Sequence, residues 1–542
     1  MLRIARFTLL LSVLVPAYLV PLAATQPAST VSSEQKASRA FEAERKNPLQ
    51  LHAFLERMPK GADLHMHLSG AIYAETFLKD AAADLLCVNV AKLKFEKNAG
   101  TSKSLPAEAV CAEGAVPAAS VFKDQKLYND LVNAFSIRSF VPSSGISGHD
   151  QFFATFGRFG GIEKNHTGEW LDEVATRAAA QNEQYLEIMQ TPSFSNASKL
   201  GFQIGWPPTP ASPRVTAVDD AIGATHAELS KLRDQLLAAG LRDEIATDRR
   251  EFADALADRN QIEHCGQPDA VPACSIQIRF LFQVLRAFSP QQVFAQMLLG
   301  FEVASVDPNV VGLNIVQPED DYMAMSECHR QMLMLDYLHS VYPKVHITLH
   351  AGELAPGLVT PAGLRFHIRE AIDLGHAERI GHGVDILYED DPQALLKEMS
   401  DRHVMTEINI TSNDVILDVK APFHPLPTYL AAHVPVALST DDEGVSRIDL
   451  TNEYTRAALE FGLSYPELKD MARTGLEHSF LAGDSLWQQR DNFKTVVAAC
   501  AGQTVGADDP RDKCAAFLKS SDKAAQQWQL EHRFKVFETT LP

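Results

Sequence analysis

The stretch "PKGADLHMHLSG", residues 59–70, places two imidazoles, His65 and His67, one residue apart inside an otherwise apolar run. Successive side chains of a strand alternate faces, so residues i and i+2 project together. If the run is a buried strand, the two rings point the same way, which is chelating geometry. An H-x-H pair also describes two hydrogen-bonded core histidines, so the decision rests on the rest of the chain.

Seven more short apolar, β-rich runs follow, at 183–189, 278–285, 310–316, 344–350, 379–383, 404–410 and 435–441, after the first at 62–68. Longer segments of helical periodicity separate them. Apolar runs alternating with helices indicate parallel strands buried on both faces, and eight of them predict a closed (β/α)8 barrel in preference to an open doubly wound sheet. Asn47 followed by Pro48 is a helix start and predicts a helix over 48–57, directly before the first strand. Two connections are too long for simple βα units: the one after the first strand, and 190–277. The resulting division is a signal peptide at 1–25, an N-terminal helical segment at 26–60, a barrel over 61–485 with an inserted subdomain at about 87–178, and a C-terminal helical extension at 486–542.

The opening "MLRIARFTLLLSVLVPAYLVPLAATQ" has two arginines, an apolar run from Phe7 to about Val20 and small residues at Ala23 and Ala24. That is the layout of a secretory signal, so the chain is expected to be exported, periplasmic or extracellular, without stable membrane association once the signal is cleaved. The seven cysteines fit an oxidising compartment. Their spacing suggests local pairs, Cys87 with Cys111, Cys265 with Cys274 and Cys500 with Cys514, leaving Cys328 over, although spacing alone does not fix connectivity. No C-x-x-C occurs, which argues against a thiolate zinc site. The sequons at Asn165, Asn196 and Asn409 are expected by chance at this length, and the last falls in an expected buried strand. With a formal charge of -20 over 542 residues, the chain would repel phosphate backbones and anionic lipid. A small uncharged substrate is easier to accommodate than nucleic acid.

The strand ends turn the histidine pair into a site. The fifth run ends "TLHAGE", with His350 at its terminus and Glu353 just beyond; the sixth is "RIGHG", with His382; the eighth ends "LSTDDE", with Asp441 and Asp442. Barrel active sites are built at the carboxyl ends of the strands, so His65, His67, His350, Glu353, His382, Asp441 and Asp442 are expected in one cavity. Imidazoles plus a carboxylate suit a borderline-soft divalent ion, above all zinc, with one position open for water. Glu353 is placed to shuttle a proton. Asp441 and Asp442 would face opposite ways on a continuing strand, so the chain must turn between them.

These residues resemble the adenosine deaminase family of metal-dependent hydrolases. The matching pieces are "MPKGADLHMHLSG", "QYLEIM", "LHAGE", "RIGHG", "HPLPTYLAAHVPVALSTDDE" and "NEYTRAALEFGLSYPELKDMA", in family order over 47–80 and 180–485. The resemblance implies one zinc ion per chain, with His65, His67, His350 and Asp441 similar to the metal ligands. It also implies that adenosine or 2'-deoxyadenosine is converted to the inosine product and ammonia. Glu353 would protonate purine N1, His382 would orient or deprotonate the attacking water, and Asp442 would contact N7. Ser69 stands where many members have an acid near the sugar, and Gln317 where a glycine lets its backbone approach N3. The export signal, insertion and cysteines are similar to the adenosine deaminase-related growth factors, but 26–46 is short for their dimerisation region; assembly is left open between a single chain and a homodimer. The alternatives are a deaminase of adenine or another N6-substituted adenine compound, and a growth-factor-like binding protein with a vestigial site.

Overall fold

A computed structural model describes residues 32–101, 109–143, 145–162, 166–207 and 224–541. The signal segment and the Asn165 sequon lie outside the described residues. Eight parallel strands run in sequence order: β1 (Gly61–His67), β2 (Glu183–Gln190), β3 (Gln277–Leu285), β4 (Val310–Val316), β5 (His346–Ala351), β6 (Arg379–His382), β7 (Met405–Ile408) and β8 (Val436–Leu438). The last meets the first just past β8, where Met66 pairs with Asp441, Asp441 N donates to His65 O at 2.8 Å and His67 N donates to Asp441 O at 3.0 Å. Those two bonds close the barrel and place both histidines beside the aspartate.

The expected strands form because their side chains are buried on both faces. In β7 all four residues are buried, and in β4 all but Val311. Helices cover the outside, among them Pro290–Ala304, Tyr322–Val341 and Tyr465–His478. The helix before β1 spans Pro48–Arg57, with Asn47 accepting from Leu49 N, as the Asn-Pro start requires. This helix joins Ser33–Glu44 and the C-terminal helix Asp522–Thr540 in an aromatic cluster of Phe41, Phe54, Tyr465 and Phe537. Fully buried Lys60, at the entrance to β1, donates to Leu55 O at 2.6 Å, Met58 O at 3.1 Å and Gln181 O at 2.7 Å, satisfying carbonyls at two helix ends.

The segment after β1 contains a three-stranded antiparallel sheet of Cys87–Asn89, Lys94–Glu96 and Ala115–Pro117, and the helices Gln125–Ala134, Gly148–Phe159 and Thr167–Ala180. The second long connection is largely helical, with Ser195–Ile204, His226–Leu236 and Arg242–Ile262. The C-terminal extension opens with an antiparallel hairpin, Trp487–Gln489 and Asn492–Val496, before its two helices. Cys87–Cys111, Cys265–Cys274 and Cys500–Cys514 are disulfide-bonded, and Cys328 is free and buried. Asn409 is buried, which closes that sequon to modification.

Candidate active site

At the carboxyl end of the barrel, a cavity of about 330 Å³ is lined by His67, Ser69, Gln283, Gln317, His350, Glu353, Asp441 and Asp442. Phe152, Phe153 and Phe156 of helix Gly148–Phe159, with Leu285, Val316 and Pro318, supply its apolar walls. His65 and His382 lie fully buried beneath. The residues expected at the rim thus meet in one place, Ser69 and Gln317 included. The turn expected after β8 is a left-handed residue, Asp441 at φ +60, and Asp442 follows at φ −112.

Ligand-capable atoms of His65, His350, His382 and Asp441 lie within 4.8 Å of one another, and those of His67, Asp441 and Asp442 form an overlapping group. Distance does not divide these residues into ligands and bystanders, but their hydrogen bonds do. Asn314 Oδ1 accepts from the backbone N of His350 at 3.0 Å and faces its Nδ1 at 3.0 Å. The oxygen is therefore an acceptor, Nδ1 carries the proton, and Nε2 is left with a free lone pair. His65 Nδ1 donates to Glu407 Oε2 at 2.6 Å; despite burial, Arg379 and His65 hold that carboxyl at about 2, so it is ionised and can only accept. His67 Nδ1 faces Gln283 Oε1 at 2.8 Å, while the amide nitrogen of Gln283 donates to Thr191 Oγ1 at 2.9 Å.

Three Nε2 atoms therefore present lone pairs. Those of His67 and His350 are 3.2 Å apart, and Asp441 Oδ1 is 3.2 Å from His67 Nε2 and 3.5 Å from His65 Nε2. Two lone pairs at 3.2 Å repel unless something positive lies between or beside them. His65 Nε2 is buried with no hydrogen-bond partner. The other carboxylate oxygen of Asp441 accepts from Ser412 Oγ at 2.6 Å. Burial works against charging His65, yet Asp441 and Glu407 raise its pKa to about 10; with no ion beside it the ring would take a second proton on Nε2, and a bound cation takes the place of that proton and leaves the lone pair as a ligand. Three imidazoles with their opposite nitrogens held by acceptors, plus one carboxylate, make a donor set that fits a divalent ion such as zinc.

Glu353 is brought beside this group by Glu319. Despite its burial, His367 and Arg286 hold Glu319 at about 2, and its carboxylate accepts from Gly352 N at 3.1 Å and Glu353 N at 2.7 Å. Gly352 has φ +76, and a Cβ there would lie 2.4 Å from Asp385 Oδ1, so only glycine lets the strand turn so tightly. Burial, then the charges of Asp441 and Glu319, pushes the Glu353 carboxyl well above the usual range, which favours its protonated form. Burial and Asp441 do the same to Asp442, whose Oδ1 is buried without a partner.

Several site residues were not anticipated: Gln283, Asn314, Glu319, Glu407 and Ser412, which orient the others. Asn314 carries a signal, a lone polar residue inside an apolar strand run, which in a barrel strand points to a partner in the interior; Gln283 and Glu407 share their strands with other polar residues and stand out less. Glu319 follows the end of β4 and shares the rim position of the residues that were singled out.

The adenosine deaminase family model matches residues 171–496, well over half of the chain. An adenosine deaminase of Escherichia coli O1:K1 is 38% identical over 142 residues, covering 26% of this chain and 39% of that enzyme's length. The chain therefore spans well under two thirds of the curated relatives it matches. Among solved structures, an amidohydrolase from Burkholderia ambifaria with bound zinc is 16% identical, covers 91% of this chain and 94% of its own, and superposes with a TM-score of 0.50. An Arabidopsis N6-mAMP deaminase, 19% identical over 80% of this chain and 96% of that one, gives 0.49.

Proposed function

The chain belongs to the adenosine deaminase family, and from that premise we propose that it is an exported, zinc-dependent enzyme converting adenosine and 2'-deoxyadenosine, with water, to the inosine product and ammonia. The observation that carries this reading is the sorting of the imidazoles: three Nε2 lone pairs converge on Asp441 in the cavity that Glu353, a carboxyl pushed well above its usual range by burial, also lines. His65, His67, His350 and Asp441 would hold the ion. Zinc bound there supplies the Lewis acidity that makes water a nucleophile at neutral pH.

The rest is work for this chain's own residues. Attack at C6 of the purine breaks aromaticity and builds negative charge on N1; the neutral Glu353 delivers its proton there, and the charge never has to persist in an apolar site. Burial and Asp441 push the Asp442 carboxyl well up, and in its protonated form it can donate to N7, an acceptor that an ionised carboxylate would repel. The three phenylalanines and Leu285 offer faces for the flat base and exclude bulk water. The volume suits a nucleoside. No lysine or arginine lines the cavity among the described residues, so a 5'-phosphate would find no counter-charge there. The three disulfides support an oxidising compartment and hence export.

One observation favours a second reading, deamination of adenine or an N6-substituted adenine base. Apart from the groups assigned to metal and base, the polar lining is Ser69, Gln283 and Gln317; Gln283 is engaged by His67 and Thr191, and the side-chain oxygen of Gln317 accepts from Ala287 N at 2.8 Å. Little remains to grip a sugar. Purified mature protein loaded with zinc and offered adenosine, 2'-deoxyadenosine, adenine and AMP, followed by ultraviolet absorbance and ammonia release, separates these readings. Glu353→Gln should keep its zinc and its melting temperature while losing on the order of 10²–10⁴ in turnover or more, whereas His350→Ala should lose the metal as well. Undiminished turnover in Glu353→Gln would remove that residue from the mechanism and the reading with it.

A further inference from the structure

His382 belongs to the same buried group as the ligand histidines, yet its hydrogen bonds run the opposite way. The reason starts in the loop that follows β7, at Leu426. Leu426 N donates to His424 Nδ1 at 3.1 Å. A backbone amide can only donate, so His424 Nδ1 bears a lone pair, and the ring must be neutral with its single proton on Nε2. That Nε2 faces Asn413 Oδ1 at 3.0 Å. The amide orientation of Asn413 is thereby fixed: its oxygen accepts from His424, and its nitrogen is left to donate. The recipient is His382 Nδ1 at 2.9 Å, with Asn409 Nδ2 a second amide donor at 3.5 Å. With two amide N–H groups aimed at Nδ1, His382 carries its proton on Nε2, and that atom is buried with no hydrogen-bond partner among the described residues.

We propose that His424 and Asn413 are positioning residues that lock His382 as an Nε2–H donor aimed into the metal group. The consequence is a division of labour that distance leaves open. Among four histidines brought together, three present lone pairs and one presents a proton. His382 is then excluded from the ligand set, and its role toward the attacking oxygen is to donate a hydrogen bond to a lone pair, which leaves that oxygen's other lone pair directed at C6. Used this way it does not act as the base. The catalytic part of this inference rests on the deaminase reading above; the tautomer itself does not.

The test uses the zinc-loaded full-length mature protein. Asn413→Asp is nearly isosteric but can only accept, from both imidazoles, so the His382 proton moves to Nδ1. Expected are unchanged zinc stoichiometry, unchanged melting temperature, KM within a few-fold and kcat lower by about 10–100-fold, the usual scale for residues that orient a catalytic group. In protein labelled with ¹⁵N-histidine, with the His382 signals assigned by difference against His382→Asn, native His382 should show a protonated Nε2 and a bare Nδ1, reversed in Asn413→Asp. Should that variant misfold, His424→Phe frees Asn413 to turn over and should lower kcat similarly, whereas His424→Gln, which can still offer an N–H to Asn413 Oδ1, should recover most of the loss. A native His382 protonated on Nδ1, or native kcat in both Asn413→Asp and His424→Phe, overturns the proposal. If no adenine compound is turned over, the nitrogen spectrum still decides the tautomer, so failure of the deaminase reading and failure of the relay remain distinct.

Discussion

Gly70 shows how closely one residue can govern the base-binding end of the site. A Cβ at that position would fall 1.4 Å from Asp442 Oδ1 and 2.3 Å from its Cγ. No side-chain rotation absorbs an overlap of that size without moving the carboxyl, so the absence of a side chain at residue 70 is what lets Asp442 stand where it does. Gly70→Ala should therefore leave zinc content unaltered, since no ligand is touched, yet lower kcat/KM for adenosine on the order of 100-fold, the penalty for misplacing a positioning group by about an ångström. Metal analysis beside steady-state kinetics checks it; a loss of zinc in parallel with activity would mean that Asp442 supports the ligands and not the substrate. Gln317 illustrates the opposite case. At φ +90 it occupies backbone space that suits glycine, and the bonds from Ala287 N to its side chain and from Arg286 Nε to its carbonyl offset part of that strain.

At the scale of elements, the eight strands were legible because a strand buried on both faces has to be apolar and β-rich throughout, and because strand ends in such a barrel share one rim. H-x-H spacing then placed His65 and His67 on one face without further information. What could not be read was which side chains on different strands pair: Asn314 on β4 holds His350 on the neighbouring β5, and Glu407 on β7 holds His65 on β1, a contact that only closure creates. The same is true of the short helix Ile410–Leu417, which carries both Ser412 and Asn413. It is held from outside by Glu453, which is fully buried and accepts from Thr411 N at 3.1 Å and from the Thr411 hydroxyl. Burial lifts the Glu453 carboxyl from 4.5 to about 7, more than these hydrogen bonds and Arg456 lower it. The unfolded chain ionises near 4.5, whereas the folded one resists until about 7. Between those values the native state binds more protons, and stability falls as pH rises, by up to about 3 kcal/mol for this one group. Glu453→Gln cannot ionise. Chemical denaturation of the two proteins at pH 5 and pH 8 should show the native protein losing stability relative to the variant across that interval; parallel curves would show that Glu453 titrates normally.

Across the whole molecule, the disulfides staple the appendages and leave the barrel free. Cys265–Cys274 closes the turn before β3, and Cys500–Cys514 sits in a small separate core with Leu486, Trp487 and Trp528. Cys87–Cys111 differs, because the sheet it fastens is connected to the cavity by a run of aromatic rings. Phe95, on the middle of the strand Lys94–Glu96, meets Phe135 with centroids 4.9 Å apart; Phe135 lies 6.1 Å from Phe159, which lies 5.3 Å from Phe156, and Phe156 lines the pocket. Each disulfide closes a short loop worth about 3 kcal/mol in the chain-entropy picture, but only this one borders a wall that substrate would touch. Replacing Cys87 and Cys111 together by serine should therefore lower the melting temperature and also raise KM several-fold, with zinc content and kcat retained because the ligands stand on or just past barrel strands and not on the insertion. Paired serine replacements at Cys265 and Cys274, or at Cys500 and Cys514, should lower the melting temperature alone. The comparison needs only thermal melts, metal analysis and Michaelis kinetics on the three variants. Equal KM in all three would show that the insertion sheet and the cavity wall move independently; loss of zinc in the Cys87 and Cys111 variant would show that the insertion holds the barrel rim itself together.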